Sequence, residues 1–164
     1  MKLSKTTTKG FTIIETLVAI TILMISIAGP LTIAHKSFMA AIQARDQLTA
    51  SYLAQDAMEY IKHIRDDNML NASNWLAHLD ACIAQKCAID TLTGAVIAGI
   101  TTFSLTKTQN GYGHSGGTPT PFSRSFSITK IHDNQARVTV EVRWTGITRD
   151  NLVTYTSELF NVMK

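Results

Sequence analysis

From Phe11 to Ala34 the chain runs for 24 residues with a single charge, Glu15. At about 1.5 Å rise per residue this is a helix long enough for a hydrocarbon core of about 30 Å. Ala28-Gly29-Pro30 interrupts the run. A proline inside a helix removes one hydrogen bond and clashes with the preceding turn, so a kink or local melting is expected between Ile25 and Pro30. The pattern then changes. Ala50, Leu53, Ala54, Ala57, Ile61 and Ile64 recur at spacings of three and four, one apolar stripe, with Asp56, Glu59, Lys62 and Asp66 on the opposite, solvated face. A continuous helix from Phe11 to Ile64 would be roughly 80 Å long, and Asp66-Asp67-Asn68 is its expected stop.

Downstream, Asn71-Ala72-Ser73-Asn74 offers an N-cap, and Trp75, Leu76, Leu79 and Ile83 fit one face of a short helix. Ala95 to Leu105 has room for a short strand. Gln109 to Pro121 holds four glycines and two prolines and reads as a mobile surface connector. The remainder reads as sheet. Val138, Val140, Val142 and Trp144 alternate with Arg137, Thr139, Glu141 and Arg143, the clearest period of two in the chain. Phe126 and Ile128 share a face of the preceding strand, Asp133-Asn134 supplies a turn, and Gly146 to Asn151 makes another. In the last strand Val153, Tyr155 and Leu159 share one face while Phe160 and Val162 fall on the other, which points to a bulge or a buried end. The expected fold class is α+β. A long N-terminal helix, half transmembrane and half amphipathic, packs on a C-terminal antiparallel sheet of three or more strands.

Charge adds orientation. The 164 residues carry 15 Lys and Arg against 12 Asp and Glu, but three of the lysines, Lys2, Lys5 and Lys9, precede Gly10. Without residues 1–10 the formal charge is zero. The basic balance therefore argues for a cytoplasmic leader with the bulk of the chain on the other side of the membrane, and not for nucleic acid, which needs a clustered basic face.

A carboxylate inside an apolar span costs roughly 2.5–3.5 kcal/mol at mid-bilayer and by default marks function. Here a basic leader ends in Gly10, Phe11 follows, and Glu15 is the fifth residue after the glycine. Lys9-Gly10-Phe11-Thr12-Ile13-Ile14-Glu15 resembles the prepilin signature of the type IV pilin family, which includes the pseudopilins of type II secretion. The resemblance implies cleavage by prepilin peptidase between Gly10 and Phe11 and N-methylation of Phe11. It also implies that the Glu15 carboxylate neutralises the N-terminal amine of a neighbouring subunit during assembly. Each of those charges is costly alone in a packed bundle, and pairing offsets much of the desolvation. The implied parts are a leader at 1–10, a transmembrane and assembly helix at 11–34, and an amphipathic helix with a globular head at 35–164. The implied partners are other pilin subunits, the peptidase, an inner-membrane assembly platform and the membrane itself. Gly29 and Pro30 would be a helix hinge. The implied course is from the inner membrane, single-pass, to an extracellular or periplasmic filament. The valine-rich strand ending in tryptophan is most similar to minor pilins and minor pseudopilins. Rival readings are an ordinary secretory signal cut after Ser26-Ile27-Ala28, and a plain anchor that delivers a binding domain. Neither accounts for Glu15.

Cys82 and Cys87, an even pair close in sequence in an exported chain, read as a bridge closing a small loop. A zinc site with His78, or two free thiols, are the alternatives. No cofactor is indicated. His35, His63, His78, His114 and His132 are scattered, there is no G-x-S-x-G or H-E-x-x-H, and no nucleophile, base and orienter occur together, so an enzyme is not expected.

Overall fold

The computed structural model describes residues 10–99, 103–146 and 149–162. The chain divides into two compact units, 1–43 and 44–164. Helix α1, Ile13–Leu70, supplies the described helical residues of the first unit and the opening helix of the second. Among the described residues seven strands follow: β1 (Cys87–Asp90), β2 (Ala95–Ala98), β3 (Ser104–Thr108), β4 (Gly111–Gly113), β5 (Thr118–His132), β6 (Gln135–Thr145) and β7 (Asp150–Phe160). They form one antiparallel sheet, so the expected α+β class holds with a sheet more than twice as wide as the three strands read from the pattern.

In the first unit α1 is helical without a break through Ala28-Gly29-Pro30. Of the kink or local melting expected there, melting does not occur. Proline costs a single ladder bond, and the neighbouring hydroxyls bond within the helix, Ser26 Oγ to the Ile22 carbonyl and Thr32 Oγ1 to the Ala28 carbonyl, both at 2.9 Å.

The second unit is organised by β5. One edge of this strand pairs continuously with β6, Phe122 opposite Trp144 through His132 opposite Gln135. Its other edge is shared, β3 covering its first half and β1 meeting it at Phe126. Beyond Phe126 the edge is covered by the loop between the cysteines: Ile83 bridges Ile128, and the Ala84 N–H donates to the Ile128 carbonyl at 2.9 Å. The core lies between one sheet face and the α1 stripe. Ala50, Leu53, Ala54, Ala57 and Ile61 meet Phe122, Phe126, Ile128, Val138, Val140, Val142 and Trp144, all buried. Alanines in the stripe allow the sheet to approach closely. Where the β1–β2 turn reaches α1 the fit is tighter still: Gly94 sits at φ +77°, and a Cβ there would collide with the Tyr60 hydroxyl.

Helix α1 ends two residues beyond the expected stop, and the form of its ending sets the path of the next loop. The Ala72 N–H donates to the Met69 carbonyl and the Ser73 N–H to the Asn68 carbonyl, with Ala72 itself at φ +50°. That is a Schellman ending built on alanine instead of glycine. Buried Asn68 then donates to the carbonyls of Trp75 and Ala77, fixing the returning loop. The short helix expected around Trp75 to Ile83 is therefore replaced by turns and a 3-10 segment at Asp80–Cys82, although Trp75, Leu76 and Leu79 are core residues as their pattern implied.

One further expectation is corrected and one is narrowed. The glycine-rich segment is not wholly a connector, because β4 and the start of β5 lie within Gln109–Pro121. The last strand carries no bulge, since β6 and β7 keep one register from Gln135 opposite Phe160 to Thr145 opposite Asp150. Leu159 is buried at its end, while Phe160 faces solvent.

Candidate functional site

The residues singled out at the N-terminus sit around a helix start. Gly10, Phe11 and Thr12 are outside regular structure, and α1 begins at Ile13. Thr12 is the N-cap: its Oγ1 accepts from the Glu15 N–H at 3.3 Å, and its carbonyl accepts from the N–H groups of Glu15 and Thr16. Thr12-Ile13-Ile14-Glu15 has the spacing of a capping box, a feature readable in the sequence but overlooked beside the membrane pattern. Glu15 thus lies in the first turn, where a carboxylate is stabilised by the helix dipole, typically by about 0.3–1 kcal/mol at an exposed site. That preference alone does not explain a charge in an apolar span, because an unpaired carboxylate there costs more. Lys2, Lys5 and Lys9 lie outside the described residues.

The helix behind Glu15 has the surface of a membrane span. It is long and apolar enough to cross a bilayer, with a mean hydropathy of 2.3 over its most apolar 18-residue window, none of it buried within the chain. Phe11 is 77% exposed, and Ile13, Leu17, Ile20, Leu23 and Ile27 are likewise exposed. Its hydroxyls are satisfied locally: Thr16 Oγ1 donates to the Ile13 carbonyl and Thr21 Oγ1 to the Val18 carbonyl, both at 2.8 Å. In lipid, where no water replaces a lost partner, that internal bonding is what a spanning segment requires. Gly29 and Pro30 are also exposed, and a Cβ at Gly29 would meet nothing within 4 Å, so its small size serves no packing inside the chain.

Cys82 and Cys87 form a disulfide, both fully buried. The sulfurs are therefore not ligands for the zinc alternative with His78. Among the described residues no group of three or more His, Cys, Asp or Glu is placed to hold a metal ion.

The head contains one polar centre that the sequence did not reveal. Arg124 on β5, 1% exposed, points from a core position toward α1. Its Nη1 donates to the Leu53 carbonyl at 3.1 Å and to Asp56 Oδ2 at 2.9 Å, and its Nη2 donates to the Ile89 carbonyl at 2.9 Å and Thr91 Oγ1 at 3.3 Å. Asp56, assigned from the pattern to a solvated face, is the counter-ion, and Thr91 Oγ1 also donates to it. Burial pulls the Arg124 pKa below its ordinary value against the pull of Asp56 and Asp90, and arginine remains charged in spite of this. Nearby, buried Asp90 accepts from the N–H groups of Leu92, Thr93 and His114. Burial raises its pKa, but these bonds together outweigh that and leave it lowered. Burial and the Arg124 charge lower the pKa of His114, whose Nε2 is enclosed without a partner, and Asp90 opposes them only in part. The hydrogen bonds of Arg124 tie β5 to α1, to β1 and to the turn that follows β1. The centre acts as a structural rivet.

Residues 5–29 match the family model of the prokaryotic N-terminal methylation motif, the prepilin motif of type IV pilin-like proteins. No curated protein and no solved structure matches the chain. The motif covers the helix start, Glu15 and the apolar run as far as Gly29, and nothing beyond that residue is matched.

Proposed function

We propose that this chain is a structural, non-enzymatic subunit of a type IV pilus or a related filament, a minor or accessory pilin. It is inserted in the inner membrane with residues 1–10 in the cytoplasm and cut by prepilin peptidase between Gly10 and Phe11. It is then built into the filament through residues 11–34, with Gly29 and Pro30 as a place where the helix yields on assembly. Glu15 pairs with the methylated amine of Phe11 on a neighbouring subunit.

One observation carries this reading. The methylation motif falls where an uncoiled Gly10-Phe11 leads into a capped helix, Glu15 is in the first turn, and the apolar side chains beyond it are exposed along the chain's own described surface. Such a surface needs lipid before assembly and other helices afterwards, and a carboxylate there needs a cation.

The test is the intact mass and N-terminal sequence of the protein taken from its native membrane. The expected chain begins at N-methylated Phe11. A chain beginning at Gly29 would mean an ordinary secreted domain and would overturn the assembly role of Glu15.

A further inference from the structure

The two ends of the sheet differ in a way that the filament reading does not use. At one end lie short strands, β2 with four residues and β4 with three, which blunt the edge. At the other lies β7, eleven residues long, without proline, glycine, lysine or register shift, and paired among the described residues with β6 alone. Such an edge is a template for another strand.

The direction of its free groups is set by its pairing. The Asn161 N–H donates to the Asn134 carbonyl at 2.9 Å, in the register of β6 and β7. Odd-numbered residues therefore turn their backbone groups toward β6, while Leu152, Thr154, Thr156, Glu158 and Phe160 turn theirs to the open edge. The side chains of these same five residues lie on the face away from α1, where all are exposed, Leu152 at 47% and Phe160 at 45%.

We infer that β7 pairs antiparallel with β7 of a second copy of this chain, about a two-fold axis at Thr156. The sequence Leu152-Val153-Thr154-Tyr155-Thr156-Ser157-Glu158-Leu159-Phe160 is apolar at both ends and hydroxyl-rich in the middle. In this register Leu152 faces Phe160 at each end, Thr154 faces Glu158, and Thr156 faces itself. On the other sheet face Val153 meets Leu159 and Tyr155 meets Ser157. The exposed apolar side chains cover each other twice, and no carboxylate faces another. The contact is isologous and closes as a dimer. It does not depend on the filament reading, because the dimer is sought in the membrane before any assembly.

Single cysteines in the full chain, oxidised in native membranes, test it, since Cys82 and Cys87 are already bonded to each other. Hydrogen-bonded partners have Cα atoms about 5.5 Å apart, inside the range of about 4.4–6.8 Å that a disulfide accepts. Thr156→Cys should double the apparent mass on a non-reducing gel. Thr154→Cys alone and Glu158→Cys alone should not, because each lies roughly 13 Å along the strand from its own copy, whereas co-expression of the two should restore the dimer. No dimer at Thr156→Cys, equal dimer at all three positions, or a cross-linked product with a different protein would each overturn the proposal.

Discussion

The first and second halves of α1 both carry many apolar residues and obey opposite rules. Between Ile13 and Ala34 the apolar side chains surround the helix and are exposed, and its serines and threonines bond to their own backbone. Between Ala50 and Ile61 the apolar residues form one stripe and are buried, and the polar face carries ion pairs or reaches the sheet, as Gln55 does to the Tyr155 hydroxyl at 2.9 Å. The difference teaches that apolar content alone does not say what a helix is for. Its distribution around the axis does. A stripe is completed by the chain's own sheet, and a full girdle has to be completed by other molecules.

Substitutions can break this contrast, and the largest effect is expected at the charge within the girdle. Glu15→Gln keeps the side chain shape and the capping-box chemistry but removes the charge. Incorporation into filaments sheared from cells should be lost while membrane insertion is retained, and unchanged incorporation would remove the pairing role. A matched pair in the two halves comes second. Ile61→Ala, at a fully buried position, should destabilise the head by about 2–5 kcal/mol in chemical denaturation. Ile20→Ala, at an exposed position, should leave that unfolding curve where it is. Arg124→Ala comes third. It leaves the Ile89 carbonyl and Thr91 without their buried donor, and should cost about 3 kcal/mol by the same assay. Because half-exposed Asp56 can hydrate once released, little of that loss belongs to the ion pair itself.

The smallest expected effect is a pH dependence confined to the second unit. His114 has a lowered pKa in the folded head, so below about 6.5, its ordinary value, the unfolded chain binds the proton more readily. Its contribution to stability is complete above that pH and is lost as pH falls toward the folded value. The lowered carboxylates Asp90 and Glu141 act in a separate window, below about pH 4. The head should be less stable at pH 5.5 than at pH 7.5, and His114→Gln should flatten the slope. An unchanged slope would locate the titrating group elsewhere.

The same division governs how much could be read from the sequence. Wherever one period dominated, the pattern sufficed: the Ala50–Ile64 stripe is the helical side of the core, and Val138 to Trp144 is a strand paired with Phe122 to Ile128. The helix start and its motif were legible because a charge inside an apolar run has few explanations. The failures occurred where a single residue overrode its local pattern. Arg124 within Phe122-Ser123-Arg124-Ser125-Phe126 falls by alternation on the face of the two phenylalanines, where a charge has no evident partner in the sequence, and only the fold reveals Leu53, Asp56 and Ile89 arranged to receive it. Strand β1, buried at all four positions, is too short to show a period. The αL residues Ala72 and His78 end helical turns without the glycine that would announce it. Glycines around Tyr112 suggested a connector, yet β4 pairs there with β3 from Thr106 opposite Gly113 to Thr108 opposite Gly111.

The Thr12 cap has a consequence for enzymology. A protease acts on extended backbone, because a peptide group inside a helix already has its N–H and carbonyl committed to neighbouring turns. By setting Ile13 as the first helical residue, Thr12 leaves the Gly10–Phe11 bond on uncommitted chain, one residue short of the point where the backbone closes on itself. One hydroxyl thus works as a ruler for the proposed cut: it sets where the helix begins and so keeps the Gly10–Phe11 bond outside it.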